Sequence, residues 1–590
     1  MRLMARGAGL LLAVVGAVAM APTANAAAAT ILPDGRGWEL VSPVDKNGGE
    51  IQAAGANFGG GVLQASADGS SVTYTSSASF AGGAGASGAS QYISRRDAGG
   101  WATENVTQPT LAGAFGTDPD GVPYQLFSGD LARGLLVVPQ RCEGAPCPRG
   151  YALRASANGA LSSSPAATDM TFAGASADLT QVVLSSQGNL YRWAGGAPVA
   201  VNLKPGDVTP TPGAQLAAQS GAVSSDGSRI YFALEGNLYL RQGAQTVQVD
   251  AAQGGGGTFQ TATPDGATAF FTKEGHLYRY LAGGGATDLT PGGEVEGVLG
   301  ISVDGTHLYY LTADGLFLDR DGVSVKVAAS ADPSNFPPTT GTARVAANGN
   351  LAFLASAPLT GSDTAGLPQA YLYVPASATL TCASCRPSGA RSLAPARIPA
   401  ATANGKLPAA TRAYKPRALS AAGDRLFFDS RDALVTTDTN SDWDVYEWEA
   451  QGVGGCARPG GCVALISSGR ATEGASFVDA SADGNDVFFL TDDSLVPQDP
   501  GVVDIYDARV GGGFPPPQVP IACIGDACQV VPGEPEDPGL GTNFFRPEGN
   551  PPPSYPESKR AKKQKGKKHR RGHKKKARQK RGAAQKRTSK

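Results

Sequence analysis

The chain has 590 residues, with 79 Gly, 42 Pro and only 17% charged residues. That composition suits many tight turns and short strands and argues against long helices or a coiled coil. Fifty basic residues nearly balance 51 acidic ones, but 18 Lys and Arg and no acid lie between Lys559 and Lys590; without these and two N-terminal arginines, 30 basic residues face 51 acidic ones. An acidic body and a basic tail point to an anionic partner for the tail.

In chain order, the first stretch is MRLMARGAGLLLAVVGAVAMAPTANA. Arg2 and Arg6 precede an apolar run from Ala8 to Met20, and Ala24-Asn25-Ala26 is a small-x-small cleavage site. Residues 1–26 therefore read as a secretory signal, too short in apolar length for a membrane span. Next comes Gly37-Trp38-Glu39-Leu40-Val41-Ser42-Pro43, a strand-like run suited to closing a ring beside the last repeat.

Repeats follow. VSSDGSRIYFALEGNLYL (Val223 to Leu240) returns as ATPDGATAFFTKEGHLYRY and as ISVDGTHLYYLTADGLFL. Each copy has a small polar residue, Asp-Gly, a β-branched or aromatic run, a second turn and a Leu-Tyr or Leu-Phe run. Asp-Gly between apolar runs predicts a type I′ hairpin. Turn positions fall at Asp68, Asp130, Asp178, Asp226, Asp265, Asp304, Asn348, Ala422 and Asp483, with central spacings of 39, 39 and 44 residues. Such periods, with four short strands each, are those of propeller blades. In the first copy the strands are predicted at Gly61 to Ser66, Ser71 to Ser76, Gln91 to Arg95 and Trp101 to Val106. The near-continuous apolar second strands, such as Ile230-Tyr231-Phe232 and Val487-Phe488-Phe489, predict sheets covered on both faces. The expectation is all-β: one propeller of about eight blades over 31–529, with seven or nine also open. A Pro- and Gly-rich linker at 530–558 and a disordered Lys/Arg-rich tail at 559–590 follow.

The S-x-D-G turn, the (V/I)-Y-F strand and the (N/D)-(L/V)-Y strand resemble the WD-repeat-like β-propeller repeat of the TolB and tricorn-protease type. Three further stretches resemble secreted bacterial propellers that end in a basic tail: Trp38 to Pro43, Cys382-Ala-Ser-Cys385-Arg-Pro-Ser-Gly389 and Asp438-Thr-Asn440-Ser-Asp442-Trp-Asp444-Val-Tyr446. The resemblance implies the fold and is nearly silent on activity, since propellers host many functions.

Eight cysteines form four close pairs, Cys142/Cys147, Cys382/Cys385, Cys456/Cys462 and Cys523/Cys528. With a secretory signal these read as disulfides clasping loops. A redox or zinc role for Cys382 and Cys385 lacks the βαβ context or second ligand pair that it needs.

For chemistry, the body's two histidines, His276 and His307, sit at variable repeat positions. No G-x-S-x-G, HExxH or phosphate-loop motif occurs, so no catalytic residue is assigned and no enzyme is expected. The metal candidates are Asp438, Asn440, Asp442 and Asp444, oxygen ligands at alternate positions as a Ca²⁺ loop requires, with Glu449 at the twelfth position of an incomplete EF-hand pattern. The bland reading is a polar turn whose acids cap their own backbone. No other cofactor is expected.

In the tail, Lys562, Lys563, Lys567, Lys568, Arg570, Arg571, Lys574, Lys575 and Lys576 are the polyanion-binding candidates. Their partners would be anionic envelope polymers or lipid headgroups, bound with steep salt dependence. No aromatic interleaves them, so sequence-specific nucleic-acid binding is not expected. The reading is a secreted, envelope-associated monomer: a non-enzymatic binding scaffold for a protein or glycan. The alternative is a propeller-based glycosidase, lyase or lactonase using channel carboxylates and calcium.

Overall fold

The computed structural model describes residues 32–53, 61–82, 90–107, 124–139, 148–218, 221–329, 341–399 and 414–515. These form nine four-stranded antiparallel sheets. Eight sheets use four consecutive strands each; the ninth joins the chain's first strand to its last three. The first strands of adjacent sheets approach one another most closely, so they line the axis of a nine-bladed propeller. The nine blades match the nine turn positions one for one and settle the blade number left open at about eight.

Blade 1 shows the pattern: β2 (Gln64–Ala65), β3 (Ser71–Ser76), β4 (Ser90–Asp97) and β5 (Gly100–Asn105). β3 is buried along its whole length, as the continuous apolar runs required, because blades cover both its faces.

The Asp-Gly turns are not type I′. Gly69 Nα–H donates to Ser66 O at 3.1 Å. Gly69 has φ 71°, but Asp68 is absent from the positive-φ residues. Here a side chain holds the turn. Ser66 Oγ donates to Asp68 Oδ1 at 2.6 Å and accepts the Ser71 N–H at 3.0 Å, while Asp68 Oδ1 accepts the Ser70 N–H at 3.0 Å. The same lock at Ser224 and Ser302 holds Asp226 and Asp304 down at about 2, the serine hydroxyl contributing most. The type I′ turns sit one hairpin later, at Glu235-Gly236 and Glu274-Gly275, where both residues have positive φ.

The Ser/Thr-x-Asp turns also join the blades. The N–H at the middle turn position donates to the equivalent carbonyl of the next blade: Ala67 to Gly129, Gly129 to Ala177, Ala177 to Ser225, Ser225 to Pro264, then Ala347 (which follows Ala346 rather than a serine) to Ala421, Ala421 to Ala482, and Ala482 back to Ala67. Pro264 has no N–H to pass the chain of bonds onward.

β1 (Arg36–Leu40) closes the ring by pairing with β36 (Asp504–Val510), as the opening run suggested. Alternation sends its side chains to both neighbouring blades. On one face, Arg36 binds Glu447 at 2.9 and 3.2 Å and Trp38 Nε1 donates to Ile466 O at 2.9 Å. On the other, the fully buried Glu39 takes Arg96 through two bonds of 2.8 Å and Trp101 Nε1 at 2.9 Å. Cys382–Cys385 and Cys456–Cys462 are disulfides. Cys142, Cys147, Cys523 and Cys528, the linker and the tail candidates lie outside the described residues.

Glu447 also holds Arg425, at 2.7 Å. Glu447→Ala leaves two buried guanidinium groups short of a partner and should destabilise the chain by about 3–5 kcal/mol. A urea-unfolding midpoint equal to wild type would contradict the closure described.

Candidate functional site

Three groups of polar side chains are candidates. The first lies between blade 8 and the closing strand. Asp34, Glu447 and Glu449 bring carboxylate oxygens within 4.8 Å of one another. Two guanidinium groups already serve them: Arg36 on Glu447, and Arg425 on Asp34 at 2.5 Å, Glu447 at 2.7 Å and Glu449 at 2.6 Å. Burial, a hydrogen bond to Asp34 and the charge of Glu447 push Glu449 up to about 8, so it is the protonated partner that donates to Asp34. Two charges of each sign then balance, and a metal ion would meet two cations. The group is a ring clasp.

The clasp has a pH signature. Glu449 is raised in the folded chain, so its contribution is complete below the ordinary carboxyl range and is lost as pH rises through about 8. Glu449→Gln keeps a hydrogen-bond donor and cannot ionise. Its melting temperature should therefore fall less than wild type's between about pH 6 and about pH 9. Parallel curves would refute the shared proton.

The second group fills the axial channel. After β30 (Ala396–Arg397), the first strand of blade 8, the segment Tyr414-Lys415-Pro416-Arg417 crosses the lumen before β31 (Arg425–Ser430). Tyr414 packs against the core around Leu126, Leu135 and Phe172, in blades 2 and 3. Its hydroxyl donates to Asp479 of β34 (Ala475–Ala480), in blade 9. Arg417 donates to Ala65 O, Ser66 O and Ala480 O, and its guanidinium and N–H both reach Asp479. Asp479 is fully buried and also accepts the Ala65 N–H at 2.8 Å.

Beside this plug stand two cations that form no ion pair with a carboxylate of the described residues. Arg344, on β26 (Arg344–Val345), donates only to main-chain carbonyls: Pro416 at 2.9 Å, Gly341 at 2.7 Å, Ala343 at 3.0 Å and Pro399 at 2.7 Å. Lys415 has no hydrogen bond or ion pair to another described residue. Burial, then the charge of Arg344, pushes Lys415 down to about 8; burial pushes Arg344 down to about 10. Asp429, the other acid buried near the inner strands, is committed to Arg397 at 2.7 Å and to the Phe477 N–H at 2.9 Å. Neither Arg344 nor Lys415 was singled out from sequence: both lie outside the repeat pattern's recurring residues, and only the plug brings them together.

The third group is the predicted metal loop, between β31 and β32 (Asp444–Glu449). Asp438 and Asp444 are buried and face each other closely enough that the charge of Asp438 adds to burial in pushing Asp444 up to about 7. Asn440 lies beside Asp444, its amide donating to Ala471 O. Asp442 turns away, accepting the Trp443 N–H at 2.8 Å and lying 3.8 Å from Arg431. Glu449 is at the far end of β32, in the clasp, so no twelfth-position ligand reaches the loop. His276 pairs with Asp288 at 2.9 Å on the strand edge of another blade, and His307 contacts Thr306.

No family model matches the chain, and no curated protein does. Among solved structures it is similar to the tricorn protease (12% identity, TM-score 0.29), covering 76% of this chain and 45% of that one. It is similar to Porphyromonas gingivalis dipeptidyl peptidase 4 (10%, 0.36; 74% and 56%) and to a putative TolB from Agrobacterium tumefaciens (16%, 0.22; 60% and 94%). The chain spans about half the length of the two peptidases. Peptidases and a lyase recur among the matching structures, and on this finding the expectation of a non-enzyme is corrected. At such identities the likeness is one of fold, so it removes the exclusion without naming a reaction. The architecture is that of a β-propeller, as the repeat motif implied.

Proposed function

We propose that the chain is an extracellular propeller enzyme that takes an acidic ligand in its axial channel, held near the envelope by its basic tail. The single observation that carries this is the Arg344–Lys415 pair: two half-buried cations, neither in an ion pair with a carboxylate of the described residues. A charge withdrawn from water is costly unless paired, and the Arg344 N–H that no main-chain carbonyl takes can donate to a carboxylate oxygen. A bound carboxylate would supply the missing countercharge.

The pair also suits a reaction class. With the ligand's carboxylate on Arg344, the adjacent C–H is made more acidic, and a neutral Lys415 amine can take that proton. The C–H electron pair forms a C=C bond as the oxygen substituent on the next carbon departs, which is β-elimination from an acidic saccharide. Hydrolysis by two carboxylates is less well supported, because Asp479 and Asp429 are both tied to arginines and backbone N–H groups.

Polygalacturonate oligomers and their methyl esters are suitable probes, with calorimetry for binding and ultraviolet absorbance for unsaturated product. The acid should bind and the ester should not. Arg344→Gln should weaken binding at least about tenfold, the loss of one charge-assisted pair. Lys415→Met should abolish turnover while binding persists, and wild-type turnover should rise with pH through about 8, as the amine loses its proton. Equal binding of acid and ester would overturn the reading.

The tail is tested separately. Deleting 559–590 should release the protein from isolated envelopes at low salt, and wild type should be released by high salt. Retention of the deletion variant would place the anchor elsewhere.

A further inference from the structure

Blades 7, 8 and 9 share one construction, and they differ in a single respect. In each, a serine just past the outer strand accepts an N–H from the third strand and bonds the side chain that opens that strand. In blade 7 this is Ser384, accepting the Ala370 N–H at 2.8 Å and donating to Gln369 at 2.6 Å. In blade 8 it is Ser467, accepting the Val445 N–H at 3.0 Å and donating to Asp444 at 2.6 Å. In blade 9 it is Ser42, accepting the Ile505 N–H at 3.2 Å and donating to Asp504. Two residues after the opening residue stands a tyrosine, Tyr371, Tyr446 or Tyr506, stacked on a phenylalanine of the second strand. Its hydroxyl ties down the preceding loop.

What the tyrosine binds decides the charge. Tyr371 donates to a backbone carbonyl, that of Ala357, at 2.9 Å. With Gln369 neutral, blade 7 has no charge to balance there. Tyr506 donates to Asp499, so blade 9 places two carboxylates together, Asp499 and Asp504. It answers them with the buried ammonium of Lys46, 2.7 Å from Asp504 Oδ1 and 2.8 Å from Oδ2. Tyr446 donates to Asp438, so blade 8 likewise joins Asp438 and Asp444. Among the described residues no lysine or arginine forms an ion pair with these two. Arg470, which follows Ser467 by three residues, is exposed, and Arg386 is spent on Asp432 at 2.5 Å.

The result is two buried oxygens without partners. Asp444 Oδ1 accepts Ser467 Oγ and the Gly469 N–H, but Oδ2 has none. Asp438 Oδ2 accepts Tyr446, but Oδ1 has none. Asp444 is fully buried and Asp438 is 7% exposed. Asp432, paired with Arg386, and Asp442, beside Arg431, complete the charged groups that face the pair. An unsatisfied buried carboxylate oxygen is costly, because it has given up water and gained no donor in return.

We propose that this loop binds one divalent cation between Asp438 Oδ1 and Asp444 Oδ2, at the place where blade 9 puts the Lys46 ammonium. Calcium suits hard oxygen ligands with water completing the shell. Asn440 lies beside Asp444, but its Oδ1 accepts the Asp442 N–H at 2.9 Å. Neither Asn440 nor Asp442 is a ligand, which trims the four-residue pattern read from sequence to Asp438 and Asp444. The cation would fasten the loop that carries Trp443, whose ring lies 4.1 Å from the Arg397 guanidinium near the inner strands.

The test uses the full chain stripped with EDTA. Calcium should raise the melting temperature by at least about 3 °C and bind at one ion per chain by calorimetry. Terbium should bind in its place and emit on indole excitation, because Trp443 adjoins Asp444. Asp444→Asn, a neutral isostere that reproduces blade 7's uncharged solution, should fold without metal and lose the calcium shift, the heat and the terbium emission. Asp442→Asn should keep all three. Equal calcium responses in wild type and Asp444→Asn, or no response in wild type, would overturn the site. No hydrogen bond or ion pair joins Arg344 or Lys415 to Asp438 or Asp444 among the described residues, so the channel reading stands or falls independently.

Discussion

Most of the ring is linked by a backbone hydrogen bond handed from the inner turn of one blade to that of the next. Where the turn is Ser/Thr-x-Asp, the hydroxyl and the aspartate satisfy one another, which frees the intervening N–H to point into the neighbour's carbonyl. A two-residue type I′ turn would have no such residue to spare. Buried or half-buried amides need partners, so this donor fixes the distance between adjacent inner strands. Everything nearer the axis, the plug and the channel cations included, is positioned by that spacing. The return from Ala482 to Ala67 joins the last blade to the first at the same level where β1 and β36 join them through the sheet.

Much of the charge burial lies in blades 8 and 9, where the ring is sealed. Glu39, Glu447, Asp479, Asp486, Asp504 and Asp507 are nearly inaccessible, and arginine or lysine reaches most of them from another blade or from β1. Such pairs contribute little net stability over an apolar contact but are severe on any misregistered alternative, because a slip strands a buried charge. Blades 4 to 6, made of consecutive strands with local turns, are built instead on aromatic pairs such as Phe232–Tyr239 and Phe271–Tyr278. Polar specificity thus lies where the chain must find a partner about 470 residues away in sequence, as Arg36 does in pairing with Val510.

Much of the fold was legible in the residues. The recurring turn positions marked each blade although the blade number was expected at about eight, the apolar triplets located the second strands, and Trp38 to Ser42 announced the closing strand. The turn type was misplaced because Asp-Gly is the usual dipeptide of a type I′ hairpin, and the serine two residues earlier, which overrides it, acts through a side chain. The blade number was left open because the insertion before Tyr414 stretches one repeat beyond the regular period. Asp438 and Asp444 could be singled out from the alternating oxygens. That Asn440 and Asp442 turn their oxygens to backbone N–H groups could not, since that depends on how the loop folds.

The sequence by itself determined an all-β repeat protein with an acidic body and a basic end, because turn chemistry and periodicity are local properties. Only the tertiary structure decided which charges go unanswered. Arg344 and Lys415 are 71 residues apart, and nothing in either neighbourhood marks them as a pair. Lys46 and Asp504 meet only because the ring closes. Whether a buried carboxylate or ammonium has a counterion depends on which blades become neighbours, and that is a property of the closed ring rather than of any single repeat.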